Sequence, residues 1–183
     1  MTAASTGSIA RRHGDDAEAA FSAACASYAS REMAWVVKRP TPVRPIGQSK
    51  AGAVFRAVWA DKAGVDYTGC LRGGRAVFVE LKSSSQPRLP LEAHGKPRIK
   101  PDQIEELARV DRLGGLALLV VRLELKDGPA WWSIDYAELA DLLAACVERD
   151  RASIDVASLD TYGTRCPVSQ PYDLPDWLWG RVG

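Results

Sequence analysis

Between Val65 and Lys82 the chain reads VDYTGCLRGGRAVFVELK, two short β-type runs on either side of Arg72-Gly73-Gly74-Arg75. This stretch constrains the fold most. Side chains alternate across a strand, so Val77, Val79 and Leu81 share one face and are expected to bury. Ala76, Phe78, Glu80 and Lys82 share the opposite face, apolar at its start and charged at its end. Asp66 opens the first run. Two carboxylates and a lysine at the rim of a hydrophobic hairpin can hold one Mg²⁺, a hard cation that takes oxygen ligands and keeps several waters. The lysine is then placed to orient or deprotonate a metal-bound water. Taken alone, Glu80-Leu81-Lys82 also reads as the solvated face of an edge strand, and Asp66 across the glycine turn leaves the two readings level.

The rest of the chain sets the context. A length of 183 residues suits one domain with a substantial core. The longest apolar run, Leu116–Leu123, is strand-sized, so no membrane span is expected. The first ten residues lack a basic start followed by an apolar stretch, which points to a cytoplasmic protein without a secretory signal. Cys25, Cys70, Cys146 and Cys166 form no CxxC or Cys/His cluster, arguing against zinc and for reduced, buried thiols. Net charge is only +1, yet residues 31–100 hold fourteen Lys/Arg against five Asp/Glu, while the remainder is acidic. Such segregation suggests a basic face for a phosphate backbone.

In chain order, Met1–Arg12 is small and polar and is expected to be disordered. Gly14-Asp15-Asp16 opens a helix to about Ser30, with Ala17, Phe21, Ala24 and Tyr28 on one apolar face. Glu18, near its start, is either a surface glutamate or an extra carboxylate near the metal. Ala34–Lys38 is a short strand candidate. Three prolines in Arg39–Pro45 then disfavour helix and central strand. From Lys38 to Arg56 the chain carries Lys38, Arg39, Arg44, Lys50 and Arg56 and no acid, which fits an extended DNA-contacting arm or a plain surface loop. Ser83–Lys100 reads as a loop. Pro101 suits a first helical position, and the helix runs through Gln103, Ile104, Leu107, Val110 and Leu113 to Gly114-Gly115. Leu116–Leu123 follows as a strand covered on both faces, so strand, helix and strand form a right-handed crossover. Gln103, in the first turn, is within reach of the strand ends bearing Asp66 and Glu80. Ala130–Ile134 is a further strand and Tyr136–Val147 an amphipathic helix. Arg151–Gly183 reads as irregular, with Tyr162, Tyr172, Trp177 and Trp179 better suited to packing than to base stacking. No glycine pattern for cradling a nucleotide phosphate is present.

A D…ExK constellation on a β-hairpin resembles the PD-(D/E)xK nucleases. Taken together, the segments resemble the RecU family of Holliday junction resolvases from about Arg12 to Pro167. The similar blocks are Gly14-Asp15-Asp16-Ala17-Glu18, Lys38-Arg39-Pro40-Thr41-Pro42-Val43, Val65-Asp66-Tyr67-Thr68-Gly69, Glu80-Leu81-Lys82, and Asp102–Leu107 followed by Gly114-Gly115-Leu116-Ala117. Lys50 stands where the family usually has arginine, and Asp102 where it usually has histidine.

The resemblance implies an α/β, restriction-endonuclease-like core: a mixed central sheet flanked by helices, with a projecting basic stalk at about 40–56 inserted in a single nuclease domain, 13–183. It implies a homodimer that binds four-way DNA and makes paired symmetric nicks with Mg²⁺, or Mn²⁺ in its place. It carries over Asp66, Glu80, Lys82 and Gln103 as active-site positions, with Asp66 and Glu80 on the metal, and Lys38 and Lys50 as basic residues of the stalk region. Two other readings stay open: a nuclease for other branched or duplex DNA, and a non-catalytic junction-binding partner.

Overall fold

The computed structural model describes residues 3–40, 43–48, 55–59 and 64–166, with side chains for 14–40 and 64–166. Its first half comprises α1 (Ala3–Ser30), β1 (Ala34–Lys38), β2 (Val43–Gln48), β3 (Phe55–Trp59), β4 (Tyr67–Leu71) and β5 (Ala76–Ser84). Three short strands follow, β6 (Arg88–Pro90), β7 (Glu92–Ala93) and β8 (Lys96–Pro97). Then come α2 (Pro101–Arg112), β9 (Leu116–Leu125), β10 (Gly128–Asp135), α3 (Tyr136–Glu148), β11 (Ser153–Asp155), α4 (Val156–Tyr162) and β12 (Thr164–Cys166).

Six strands form the central sheet in the order β1-β4-β5-β9-β10-β12. It is mixed. Only β5 and β9 run parallel, and α2 is the crossover between them. The protein is therefore α/β with a mixed sheet flanked by helices, as expected from the sequence.

β9 lies third from one edge and is buried on both faces, which is why its sequence is apolar without alternation. Leu116, Leu118 and Val120 pack with α1 through Ala17, Phe21, Ala24 and Tyr28. Ala117, Leu119, Val121 and Leu123 point the other way, into a core shared with Leu107 of α2, Leu139 and Leu142 of α3 and Leu159 of α4. On β5, Val77 and Val79 are wholly buried on the α1 side, as the alternation predicts.

Four segments depart from the sequence expectation. α1 begins at Ala3 rather than at Gly14, so the stretch expected to be disordered is helical from its third residue; once a helix is nucleated, each added residue costs little. The 83–100 loop carries β6, which pairs with β11, and the small β7–β8 hairpin. The stretch after Arg151 is regular as far as Cys166. There Asp155 caps α4 by accepting from the Ser158 amide at 2.9 Å, and Trp132 donates to Asp160 at 2.7 Å. Of the aromatics expected to pack, Tyr162 lies half-buried against the second core, while Tyr172, Trp177 and Trp179 lie outside the described residues. Finally, the arm after Lys38 contains a hairpin, β2 against β3, with a register shift between Pro45 and Gly47.

Cys25, Cys146 and Cys166 are buried and, with Cys70, unbridged. No helix among the described residues is long and apolar enough to cross a membrane.

The β1–β4 pair depends on one close approach. A Cβ on Gly69 would lie 1.9 Å from the Trp35 carbonyl oxygen and 2.7 Å from the Val36 Cα, both backbone atoms that cannot swing aside. Gly69→Ala is expected to destabilise the protein by ~3 kcal/mol, the upper end of overpacking costs, read from the urea midpoint. An unchanged midpoint would show that β1 does not lie against β4 in this register.

Candidate active site

The site forms where β4 begins, midway along β5, and at the start of α2. The last paired step between β4 and β5 is Tyr67 opposite Val79. One step further on, Asp66 faces Glu80, and directly opposed residues of an antiparallel pair project to the same side. Two local bonds fix Asp66. Its carbonyl accepts from the Arg39 amide at 2.8 Å, and its Oδ2 accepts from the Leu81 amide at 3.0 Å.

Glu80 is completely buried, not at a solvated rim as the charged strand end suggested. The reason is α2, whose first turn covers it. Gln103, itself buried, donates from Nε2 to Glu80 Oε1 at 2.7 Å and to the Gly64 carbonyl at 3.3 Å. The amide oxygen of Gln103 accepts from the Lys100 amide at 2.9 Å, satisfying one of the free donors at the start of the helix. That bond decides which way the amide faces: with the oxygen on the helix end, the nitrogen must face the carboxylate.

Lys82, two residues along the same face, forms an ion pair with Glu80 Oε1 and approaches Gln103 Oε1 at 3.4 Å. Oε1 thus receives two donors, while Glu80 Oε2 is buried and has no hydrogen-bond partner. Burial pushes the Glu80 carboxyl up to about 8; Lys82 draws it part of the way back and Asp66 pushes it further up.

The structure thus brings Asp66, Glu80, Lys82 and Gln103 together. Glu18 lies on α1, where its carboxylate pairs with Lys38 and its carbonyl accepts from the Tyr67 hydroxyl at 3.2 Å; Lys38 and Tyr67 are the chain neighbours of Arg39 and Asp66. Arg39 is paired with Glu106 at 2.6 Å. Arg44 and Arg56 lie on the two strands of the arm hairpin, at the positions opposite Val58 and Gly47, and Lys50 lies outside the described residues.

Two participants escape the sequence reading: the Gly64 carbonyl that holds Gln103, and Glu106. Glu106 did carry a signal, since it stands one helical turn beyond Gln103 and so shares its face.

A divalent cation fits this donor set. Glu80 Oε2 is an unpartnered oxygen in a buried position, Asp66 faces it from the neighbouring strand, and both offer hard oxygen ligands. Among the described residues no group of three or more His, Cys, Asp or Glu gathers into a metal cluster. Two carboxylates suffice for Mg²⁺, which usually keeps several waters and takes the rest of its ligands from substrate phosphates.

A family model described as RecU, recombination protein U, matches residues 12–175. Among solved structures, the Holliday junction resolvase Hjc of the archaeal hyperthermophile Archaeoglobus fulgidus is similar at 16% identity and a TM-score of 0.40. The similarity covers 73% of this chain and 84% of that one. No curated protein matches.

The raised Glu80 carboxyl has a consequence for stability. In metal-free protein the native state holds this proton between about pH 4.5 and 8 while the unfolded chain releases it, so stability falls as pH rises through that window. Glu80→Gln removes the titrating group, and its stability is expected to fall less across the same window in metal-free urea unfolding. Parallel profiles for the two proteins would show that Glu80 ionises normally.

Proposed function

This chain belongs to the RecU family of recombination proteins, and from that premise we propose that it is a structure-selective endodeoxyribonuclease that resolves four-way DNA junctions by paired nicks. The observation that supports this reading best is the convergence of Asp66, Glu80, Lys82 and Gln103 at one end of the sheet.

In this reading Asp66 and Glu80 hold Mg²⁺, with Mn²⁺ able to replace it. When bound, the cation supplies Lewis-acid stabilisation of the phosphoryl oxygens and lowers the pKa of a ligand water. The protein's part is placement. Gln103 fixes Glu80 Oε1, leaving Oε2 free for the cation. Lys82, held by Glu80 and Gln103, orients the attacking water and offsets the negative charge that develops on the phosphate. The arm hairpin β2–β3, with Arg44 and Arg56 on its strands and Lys50 between them in sequence, provides cationic contacts to phosphates. A homodimer supplies the second site, because nicks placed symmetrically in two strands of one junction call for two active centres related by a two-fold axis.

Incubation of a synthetic mobile four-way junction with and without Mg²⁺ tests the reading, with duplex of equal length as competitor. Cleavage is expected only with the metal and in preference to duplex. Asp66→Asn is expected to lose cleavage by about a hundredfold or more while junction binding without metal stays within a few-fold. Full cleavage by Asp66→Asn would remove Asp66 from the chemistry, and equal cleavage of junction and duplex would remove the structural selectivity.

A further inference from the structure

We propose that Glu106 is a positioning residue that couples the arm to the cleavage centre. One carboxylate fastens both ends of the arm to the helix that presents Gln103. The chain leaves the sheet after Lys38 and returns at Gly64-Val65. At the outgoing end, Arg39 Nη1 donates to Glu106 Oε1 at 2.6 Å. At the returning end, the Val65 amide donates to Glu106 Oε2 at 2.8 Å. Each oxygen therefore serves a different end, and no other acidic side chain among the described residues is seen to bridge the two.

The two ends also bond two residues of the site, Asp66 through its backbone and Gln103 through its side chain. The Arg39 amide bonds the Asp66 carbonyl at 2.8 Å, and the Gly64 carbonyl accepts from Gln103 at 3.3 Å. Moving the arm's root relative to α2 therefore displaces Asp66 from one side and Gln103 from the other. Gln103 in turn sets Glu80 and limits Lys82.

Gly64 shows how closely the root is fitted. Its φ is +64°, and a Cβ there would lie 2.3 Å from Glu106 Oε2 and 2.7 Å from Arg39 Nη1. The left-handed backbone favours glycine here, and a Cβ would push against the same two side-chain ends that form the Arg39–Glu106 pair. Val65 beside it is buried in the second core, so the returning strand cannot shift without disturbing packing.

Glu106 thus holds both ends of the arm against the helix that carries Gln103, so the inference rests on the nuclease reading above and adds to it a residue outside the metal and water contacts on which the cleavage step depends. A displacement of about 1 Å in a catalytic group is enough to cost about a hundredfold in rate. Glu106 accordingly acts on the cleavage step rather than on binding.

Full-length wild type, Glu106→Ala, Glu106→Gln, Arg39→Ala and the Arg39→Ala/Glu106→Ala double variant separate these roles. Junction affinity is measured without divalent metal, and cleavage in single turnover with saturating protein and Mg²⁺, well below each Tm. Glu106→Ala is expected to slow cleavage about tenfold or more while affinity stays within about threefold. Arg39→Ala keeps the Val65 bond and should lose less, and the double variant should be no slower than Glu106→Ala alone. Glu106→Gln, which retains one acceptor oxygen, should recover part of the rate. Cleavage by Glu106→Ala within about twofold of wild type, or rate and affinity falling in proportion, would overturn the coupling. If Glu106→Ala fails to fold, Arg39→Ala decides: a wild-type cleavage rate in that variant overturns the coupling, and a slower rate at unchanged affinity supports it. A wild type that does not cut junctions defeats the nuclease reading and this inference together, whereas a wild type that cuts and variants that match it defeat only the inference.

Discussion

A carboxylate with no access to water sits at the centre of this fold. Removing Glu80 from solvent is unfavourable unless partners replace the lost hydration, and only one of its oxygens is so served. Lys82 and Gln103 both converge on Oε1. They reach it by different routes: Lys82 because residues two apart on a strand share a face, Gln103 because the crossover starts α2 beside the middle of β5. The parallel pairing of β5 and β9 is thus the condition for the site. Without it, the helix that supplies Gln103 would not start beside Glu80.

The half-satisfied state of Glu80 is costly, and the apolar layers are what sustain it. β9 and the inner positions of β5 contribute to cores on both sides of the sheet, so the strand carrying Glu80 is held from both faces. Trp132 and Asp160 tie α4 into the second core, and Arg151 reinforces α4 by donating to Ser158 Oγ at 2.9 Å. Neither bond involves Asp66, Glu80, Lys82 or Gln103. Their effect on the site is rigidity, since a polar cluster with one unpartnered oxygen keeps its arrangement only where the surrounding packing over-determines it.

The sequence disclosed what periodicity carries and missed what depends on distant partners. The alternation in Ala76–Lys82, the unbroken apolar run of β9 and the Pro101 to Gly114 punctuation of α2 were each readable, because the signal spans several residues. The burial of Glu80 was not readable, because a charged residue at a strand end looks the same whether water or a helix lies over it. β6, β11 and β12 are three residues each, too short for any period, and exist through their pairings with partners far along the chain. Glu106 was hidden for a related reason. Its partners lie 67 and 41 residues away, and an acid on an amphipathic helix ordinarily faces solvent.

The same difficulty applies to the basic middle of the chain, where counting charges conflates two kinds of cation. Lys38, Arg39 and Lys82 are each paired with a carboxylate, so their fields are largely cancelled at a distance. Arg72, Arg75 and Arg98 are instead held by backbone carbonyls, those of Glu32, Gly114 and Ser83. A carbonyl is neutral, so it fixes a guanidinium in place without reducing its charge. These arginines therefore still add to the positive potential of the surface, and their side chains have already given up part of the freedom that binding a phosphate would otherwise cost. The sequence surplus is real as a net charge, but its distribution over the surface follows from which cations found acids and which found carbonyls.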